Sequence, residues 1–271
     1  MATDFLYDNA PLIEVIVEVR WVTQKLEALP DAAIDPHFSE FHKQFSKVAQ
    51  ENGFSHVETL LPEKLPIEFM HHKPHSRYRV GEGQWPLFQI GPGIMTINIV
   101  PPYKGWTAFK EIIENGLDML FSSYPFSDKT LTFEVIHLRY IDGFIKKHGF
   151  DRYSDFIGDK FKVVNQIPRE IIDNYISEDS EVVTKSETRL DLSKPPGAVG
   201  FIKVGPGTSH KEKAAIVELV VASTPTTSPQ DRDGISSWLD QAHLTVRHWF
   251  QLLTSDELKT SMGPREEFEV Q

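Results

Sequence analysis

The sequence predicts an α+β protein made of two fused β-α-β-β-β-α repeats, forming a mainly antiparallel, curved sheet with two long helices on one face. Three observations predict it. VEVRW (17–21) lies on IHLRY (136–140), so that Arg20 meets Arg139 and Trp21 meets Tyr140. The phrase Gly-Pro-Gly occurs at 91–93 and again at 205–207. Phe109, Leu117, Leu120 and Phe121 recur at the same spacing as Trp238, Val246, Trp249 and Phe250. Similar segments in the same order argue for a repeat before any local structure is assigned. The repeats span 8–126 and 127–256, and 257–271 is expected to be a C-terminal tail, with PREEFEVQ mobile.

In the first repeat, PLIEVIVEVRW (11–21) alternates, with Ile13, Val15, Val17, Val19 and Trp21 on one face. Period-two alternation with β-branched residues reads as a half-buried strand. DPHFSEFHKQFSKVAQ (35–50) carries Phe38, Phe41 and Phe45 at helical spacing, with Asp35 as expected N-cap and Pro36 at the first helical position. IEFM (67–70) and RYRV (77–80) are short strand candidates. Pro92-Gly93 between WPLFQI and IMTINIV supplies the fixed φ and the positive φ of a tight turn. Residues 105–124 place Trp106, Phe109, Ile113, Leu117 and Leu120 on one face of a long amphipathic helix.

The second repeat restarts with LTFEVIHLRYIDGFI (131–145) as an alternating strand. Weaker helical signals follow at 153–161 and 168–176, then strands at 181–192, 198–204 and 214–222. A long helix covers 234–254, with Asp233 its expected cap. The expected core includes Val17, Val19, Trp21, Phe109, Ile113, Leu117, Leu138, Tyr140, Leu219, Trp238, Val246 and Trp249. Both Gly-Pro-Gly phrases are expected to be the turn between the last two strands of a repeat.

Composition narrows the function classes. The chain has 271 residues and no cysteine, which removes disulfides, thiolate metal ligands and a thiol nucleophile, and suits a reducing cytoplasm. A net charge of −11 argues against a generic nucleic-acid surface. No stretch reaches the roughly 18 apolar residues that span a bilayer, so no membrane association is expected. GxSxG, P-loop, GxGxxG and HExxH patterns are all absent. No catalytic residue, cofactor or metal is therefore assigned. His71, His72 and His75 are interrupted by Pro74, and His243 and His248 lie off one another's helical face.

The strand faces opposite the expected core display Glu18, Arg20, His137 and Arg139, joined by Arg189 and Lys203 from later strands. If the repeats pair about a pseudo-twofold axis, Arg20 and Arg139 become equivalent. Two such guanidiniums on an open sheet suit a carboxylate or phosphate. The competing reading is a solvated polar face with no ligand.

Several phrases, namely NAPLIEVIVEVRW, QIGPGIMTIN, YKGWTAF, LRYID and the late Met262-Gly263, resemble those of a sporadically distributed bacterial family of unknown function. The resemblance runs from Asn9 to Gly263 and implies a single-chain cytoplasmic protein without assigned activity. A patchy distribution suits a mobile gene in a toxin–antitoxin or anti-phage defence setting. The expected layout resembles TBP-like or helix-grip pseudo-dimers. Three functions follow as expectations. The first is a non-enzymatic interaction module binding a protein partner or a second copy of itself. The second is a sensor of a small anion or nucleotide on the polar sheet face, and the third is an enzyme with an unrecognised site.

Overall fold

The computed structural model describes residues 6–27, 29–60, 66–125, 131–163, 167–177 and 180–265. In chain order the strands and helices are β1 (Leu6–Tyr7), β2 (Leu12–Trp21), β3 (Gln24–Leu26), β4 (Leu29–Ile34), α1 (Phe38–Glu51), β5 (His56–Thr59), β6 (Ser76–Arg79), β7 (Leu87–Gly91), β8 (Ile94–Ile99) and α2 (Trp106–Ser123). They continue as β9 (Phe133–Phe144), α3 (Tyr153–Lys160), α4 (Arg169–Tyr175), β10 (Ser186–Asp191), β11 (Val199–Ser209), β12 (Glu212–Ala222), α5 (Arg232–Leu253), α6 (Asp256–Met262) and β13 (Pro264–Arg265). The fold is α+β. One nine-stranded sheet runs in the order β10-β11-β12-β9-β2-β8-β7-β6-β5, and its neighbours are antiparallel. No helix among the described residues is long and apolar enough to cross a membrane.

Alternation in β2 and β9 does what period two dictates. Val15, Val17, Val19 and Trp21 of β2, with Ile136 and Leu138 of β9, are buried beneath the helices. Glu18, Arg20, His137 and Arg139 point to the opposite face, where they are only partly covered. The apolar stripes of α2 and α5 cover the buried side and meet each other through Arg232–Asp118 (2.7 Å) and Ser236–Glu114 (3.0 Å). At Gly116 helix α2 lies close against the sheet. A Cβ there would stand 2.7 Å from Ile97 Cδ1 and 2.8 Å from Phe88 Cε1.

Several expectations need correction. The first Gly-Pro-Gly is the β7–β8 turn, with Gly93 at φ 73°. The second lies inside β11, paired with Ala214–Ile216, and that hairpin turns at His210-Lys211, both with positive φ. A turn phrase carries local preference only; strand pairing on both sides overrides it. IEFM is a 3₁₀ turn over Ile67–Phe69, and the strand before β6 is β5. Helix α1 starts at Phe38 with His37 as N-cap, because the Asp35 carboxylate is used elsewhere. It accepts from Trp21 Nε1 (2.9 Å), Tyr124 Oη (2.9 Å), Gly93 N (3.3 Å) and His37 N (3.0 Å). Helix α5 is capped by Asp231, whose Oδ1 accepts from Gly234 N, and not by Asp233.

Of the expected tail, Glu257–Met262 belongs to α6, with Leu258 and Met262 buried. Pro264–Arg265 pairs with Leu6–Tyr7, while residues 266–271 lie outside the described residues.

Candidate functional site

The polar sheet face brings the predicted residues together without leaving its arginines free. Glu18 and His137 are direct neighbours across β2 and β9, with His137 Nδ1 3.1 Å from Glu18 Oε1. Arg20 reaches the same oxygen at 2.7 Å. Burial works to raise the Glu18 pKa, but the His137 hydrogen bond and the Arg20 and Arg139 charges outweigh it and hold the carboxyl below its usual range. Arg139 pairs with Glu218 at 3.2 Å, Lys203 lies between Glu187 (3.4 Å) and Glu218 (3.7 Å), and Arg189 pairs with Asp191 at 2.9 Å. Arg20 and Arg139 flank the Glu18–His137 pair on opposite sides. Four residues of extended strand separate them, roughly 13 Å.

A hollow of about 150 Å³ opens beside Thr96, His137 and Arg139. A groove of about 390 Å³ lies beyond it, where Arg20, Lys25, His71, His72 and Glu134 meet. The histidines of 71–75 are engaged in structure. His72 Nε2 lies 3.0 Å from Trp21 O, and His75 Nδ1 lies 2.8 Å from Ser76 Oγ, which His42 Nε2 approaches at 2.9 Å from the other side. Burial holds both His42 and His75 below the ordinary imidazole pKa, and for His42 the His75 charge adds to it. Among the described residues no group of three or more ligating side chains is placed to hold a metal ion.

A different arrangement lies on the helical side. There a cavity of about 380 Å³ opens between α5, the ends of β2 and β9, the segment 101–103 after β8, and the N-terminal strand. Its walls are mainly apolar: Leu12, Leu219, Val246 and Phe250, with Pro11, Pro101 and Pro102 at the sides. Alternation sends Tyr140 and Asp142 of β9 to this face, opposite Leu219 and Val217 of β12. Tyr140 therefore sits at the cavity wall and not in the closed core.

The polar groups of the cavity form two sets. Tyr103 Oη lies 3.2 Å from Tyr140 Oη, which lies 2.9 Å from His243 Nδ1. The His243 ring stacks on Trp106 at 4.3 Å and 1°, and Trp106 Nε1 donates to Asp240. Tyr7 Oη accepts from Gln251 Nε2 at 2.8 Å, holding the N-terminal strand against α5. Asp142 stands apart. It is 5% exposed and lines the cavity, yet its carboxyl has no hydrogen bond or ion pair among the described residues. Burial alone pushes it up to about 7.

The N-terminal side of the cavity is tied down by backbone. Gly143 N donates to Pro11 O, Asp8 N to Gly263 O and Asn9 N to Met262 O. His148 Nε2 lies 3.1 Å from Asn9 O while Nδ1 accepts from Ile145 N, so the buried ring is neutral; burial, with the Lys147 charge, lowers it to about 4.

Sequence reasoning assigned Tyr140 to the core and gave Tyr103, Asp142 and His243 no role in a site. The available signal was the set of phrases NAPL, YKGW, LRYID and Met262-Gly263, which come from four parts of the chain and converge around this one cavity. Set against protein families, curated proteins and solved structures, the chain gives no match.

Proposed function

We propose that this chain is a non-enzymatic binding protein that holds a small molecule in the cavity between α5 and the ends of β2 and β9. The observation that carries the reading is Asp142, a buried carboxyl without a partner among the described residues, at the wall of a cavity that is mainly apolar. A buried charge unsatisfied by its own protein costs stability. Binding pockets fall at roughly 300–1,000 Å³ and combine apolar walls with a few polar groups. This cavity has both properties.

The scaffold we propose is a fused pseudo-dimer of two β-α-β-β-β-α units, TBP-like or helix-grip-like, with β5 as an added edge strand in the first. Strand order supports it: β2, β8, β7 and β6 run outward from the centre in one direction, and β9, β12, β11 and β10 in the other. Superposing VEVRW on IHLRY makes Glu18 equivalent to His137, and these two residues pair with each other at the centre of the sheet. The same superposition makes Trp21 equivalent to Tyr140. Trp21 is sealed by Phe41 and Tyr124 and bonded to Asp35, because the 14-residue α1 covers it. Helix α3 has 8 residues, and the space at Tyr140 stays open. One unit is filled where its counterpart holds a cavity.

Ligand-detected NMR with a mixture of small neutral, cationic and anionic aromatic compounds tests the reading. Binding should occur and be lost in both Ala10→Phe and Val246→Phe, which fill the cavity from opposite walls. Absence of binding, or binding indifferent to both changes, overturns it. An anion displaced only by Arg20→Gln would instead favour the groove beside Arg20.

A second reading, an interaction module in a bacterial defence setting, is favoured by exposed Ile167, Ile171, Tyr175, Ile176 and Val183, which precede the edge strand β10. Its test is co-purification from the native host. A stoichiometric polypeptide lost in Ile171→Asp/Tyr175→Asp supports it, and a bare chain overturns it.

A further inference from the structure

We infer that the cavity takes a small organic cation, a protonated amine carried on an apolar body, with the Asp142 carboxylate as its counter-ion. This inference rests on the reading of the cavity as a binding site and adds the chemical class of what enters it.

The charged groups at the cavity differ in depth. Asp8 and Lys147 are exposed and Arg247 is half-buried, whereas Asp142 is buried on β9. His243 is buried too, but Tyr140 Oη and the Trp106 ring already engage it. The deep end of the cavity therefore presents one unmet demand, for a hydrogen-bond donor carrying positive charge. A protonated amine meets that demand with a charge-assisted hydrogen bond, which is shorter and stronger than a neutral one. An anion placed there would face the carboxylate across a medium that screens poorly.

The walls fit the same class. Tyr7, Tyr103 and Tyr140 line the cavity together with Asp142. Aromatic faces attract ammonium groups, more strongly once water is excluded. Leu219, Val246 and Phe250 accommodate an apolar body behind the charged end. The nearby titratable groups leave this balance intact. Tyr7 is shifted upward by burial and so stays neutral, and neither Lys147 nor Arg247, which also line the cavity, contributes to the Asp142 shift, whose cause is burial.

Isothermal titration at pH 8 with 2-phenylethylamine, 2-phenylethanol and 3-phenylpropionate tests the inference with one ring and three end groups. The amine should bind about tenfold tighter than the alcohol, as expected of a single charge-assisted contact, and the carboxylate should bind weakest. Asp142→Asn should bring the amine down to the affinity of the alcohol and leave the alcohol unchanged, which also shows that the variant is folded. If the alcohol or carboxylate binds as tightly as the amine, or Asp142→Asn leaves the amine unaffected, the cation inference is overturned and the cavity reading stands. If none of the three binds the unaltered protein, both fall together.

Discussion

Glu18 and His137 face each other across the two central strands, His137 Nδ1 3.1 Å from Glu18 Oε1, and they are also the two positions that coincide when VEVRW is laid on IHLRY. A residue paired with its own sequence counterpart is what an antiparallel dyad through the middle of a strand pair requires. The pair is also the electrostatic centre of the polar face, since Arg20 shares the same carboxylate oxygen.

Glu18→Gln should therefore destabilise the protein modestly, by about 1 kcal/mol at pH 7, because the group is partly open to water. Its folded pKa is depressed, so its contribution is present above the unfolded carboxyl pKa and is lost as pH falls through the folded value. Urea denaturation of both proteins should show the gap at pH 7 and its closure toward pH 3. A gap that persists in acid would mean that packing, not charge, is responsible.

Asp35→Ala should be far more damaging. It would strip a shared acceptor from Trp21 Nε1, Tyr124 Oη and Gly93 N, all in the closed core beside α1. An unmet buried donor costs about 1–3 kcal/mol each, so a loss of roughly 3 kcal/mol or more is expected in denaturant titration. A loss below about 1 kcal/mol would show that the core rearranges to replace the carboxylate.

Gly116→Ala should cost about 1–3 kcal/mol, even though alanine is the better helix former. The added methyl would stand 2.7 Å from Ile97 Cδ1 and 2.8 Å from Phe88 Cε1, and both residues are fully buried. Thermal unfolding of the variant gives the sign directly; a stabilised variant would mean that α2 shifts off the sheet at little expense.

Asp142 and His148 predict opposite pH dependences in overlapping windows. Asp142 keeps its proton in the folded state up to about 7, so its contribution is full below the unfolded pKa near 4 and is lost as pH rises through 7. His148 is held neutral down to about 4, so its contribution is full above the unfolded pKa near 6.5 and is lost as pH falls through 4. Lys147, Arg247, His243, Tyr7, Tyr140 and Asp8 share the cavity with Asp142, while Lys147 and His210 act on His148. Asp142→Asn should raise stability at pH 8, on the order of 2 kcal/mol, with the gain fading toward pH 4. It should also expose a steeper acid-side fall from His148, now unopposed. A uniform gain at every pH would show that the carboxyl does not titrate in this range.

How much was legible in the sequence depended on the range of the cause. Alternation in 11–21 and 131–145 assigned Glu18, Arg20, His137 and Arg139 to one face correctly, because side chains in a strand must alternate whatever surrounds them. The helical stripes of 105–124 and 234–254 were equally plain. The second Gly-Pro-Gly misled, because its local turn preference was overridden by pairing along both β11 and β12. Asp35 and Asp233 misled for a related reason: capping preference says that a carboxylate near a helix start is useful, not which donors will claim it.

Patterns of a few residues were enough to set the α+β class, the long helices, the first hairpin turn and the polarity of the faces of β2 and β9. The assembled fold places β2 and β9 side by side in the register that pairs Glu18 with His137. It alone brought Leu12, Tyr103, Tyr140, Asp142, Val246 and Phe250 around one cavity. The physical reason is that periodicity fixes the direction of a side chain, while burial without a partner is a property of everything that packs around it. Asp142 looks in sequence like any polar residue near the end of a strand. It becomes a candidate site because the 14-residue α1 closes the space over Trp21, whereas α3, in the corresponding place after β9, has 8 residues.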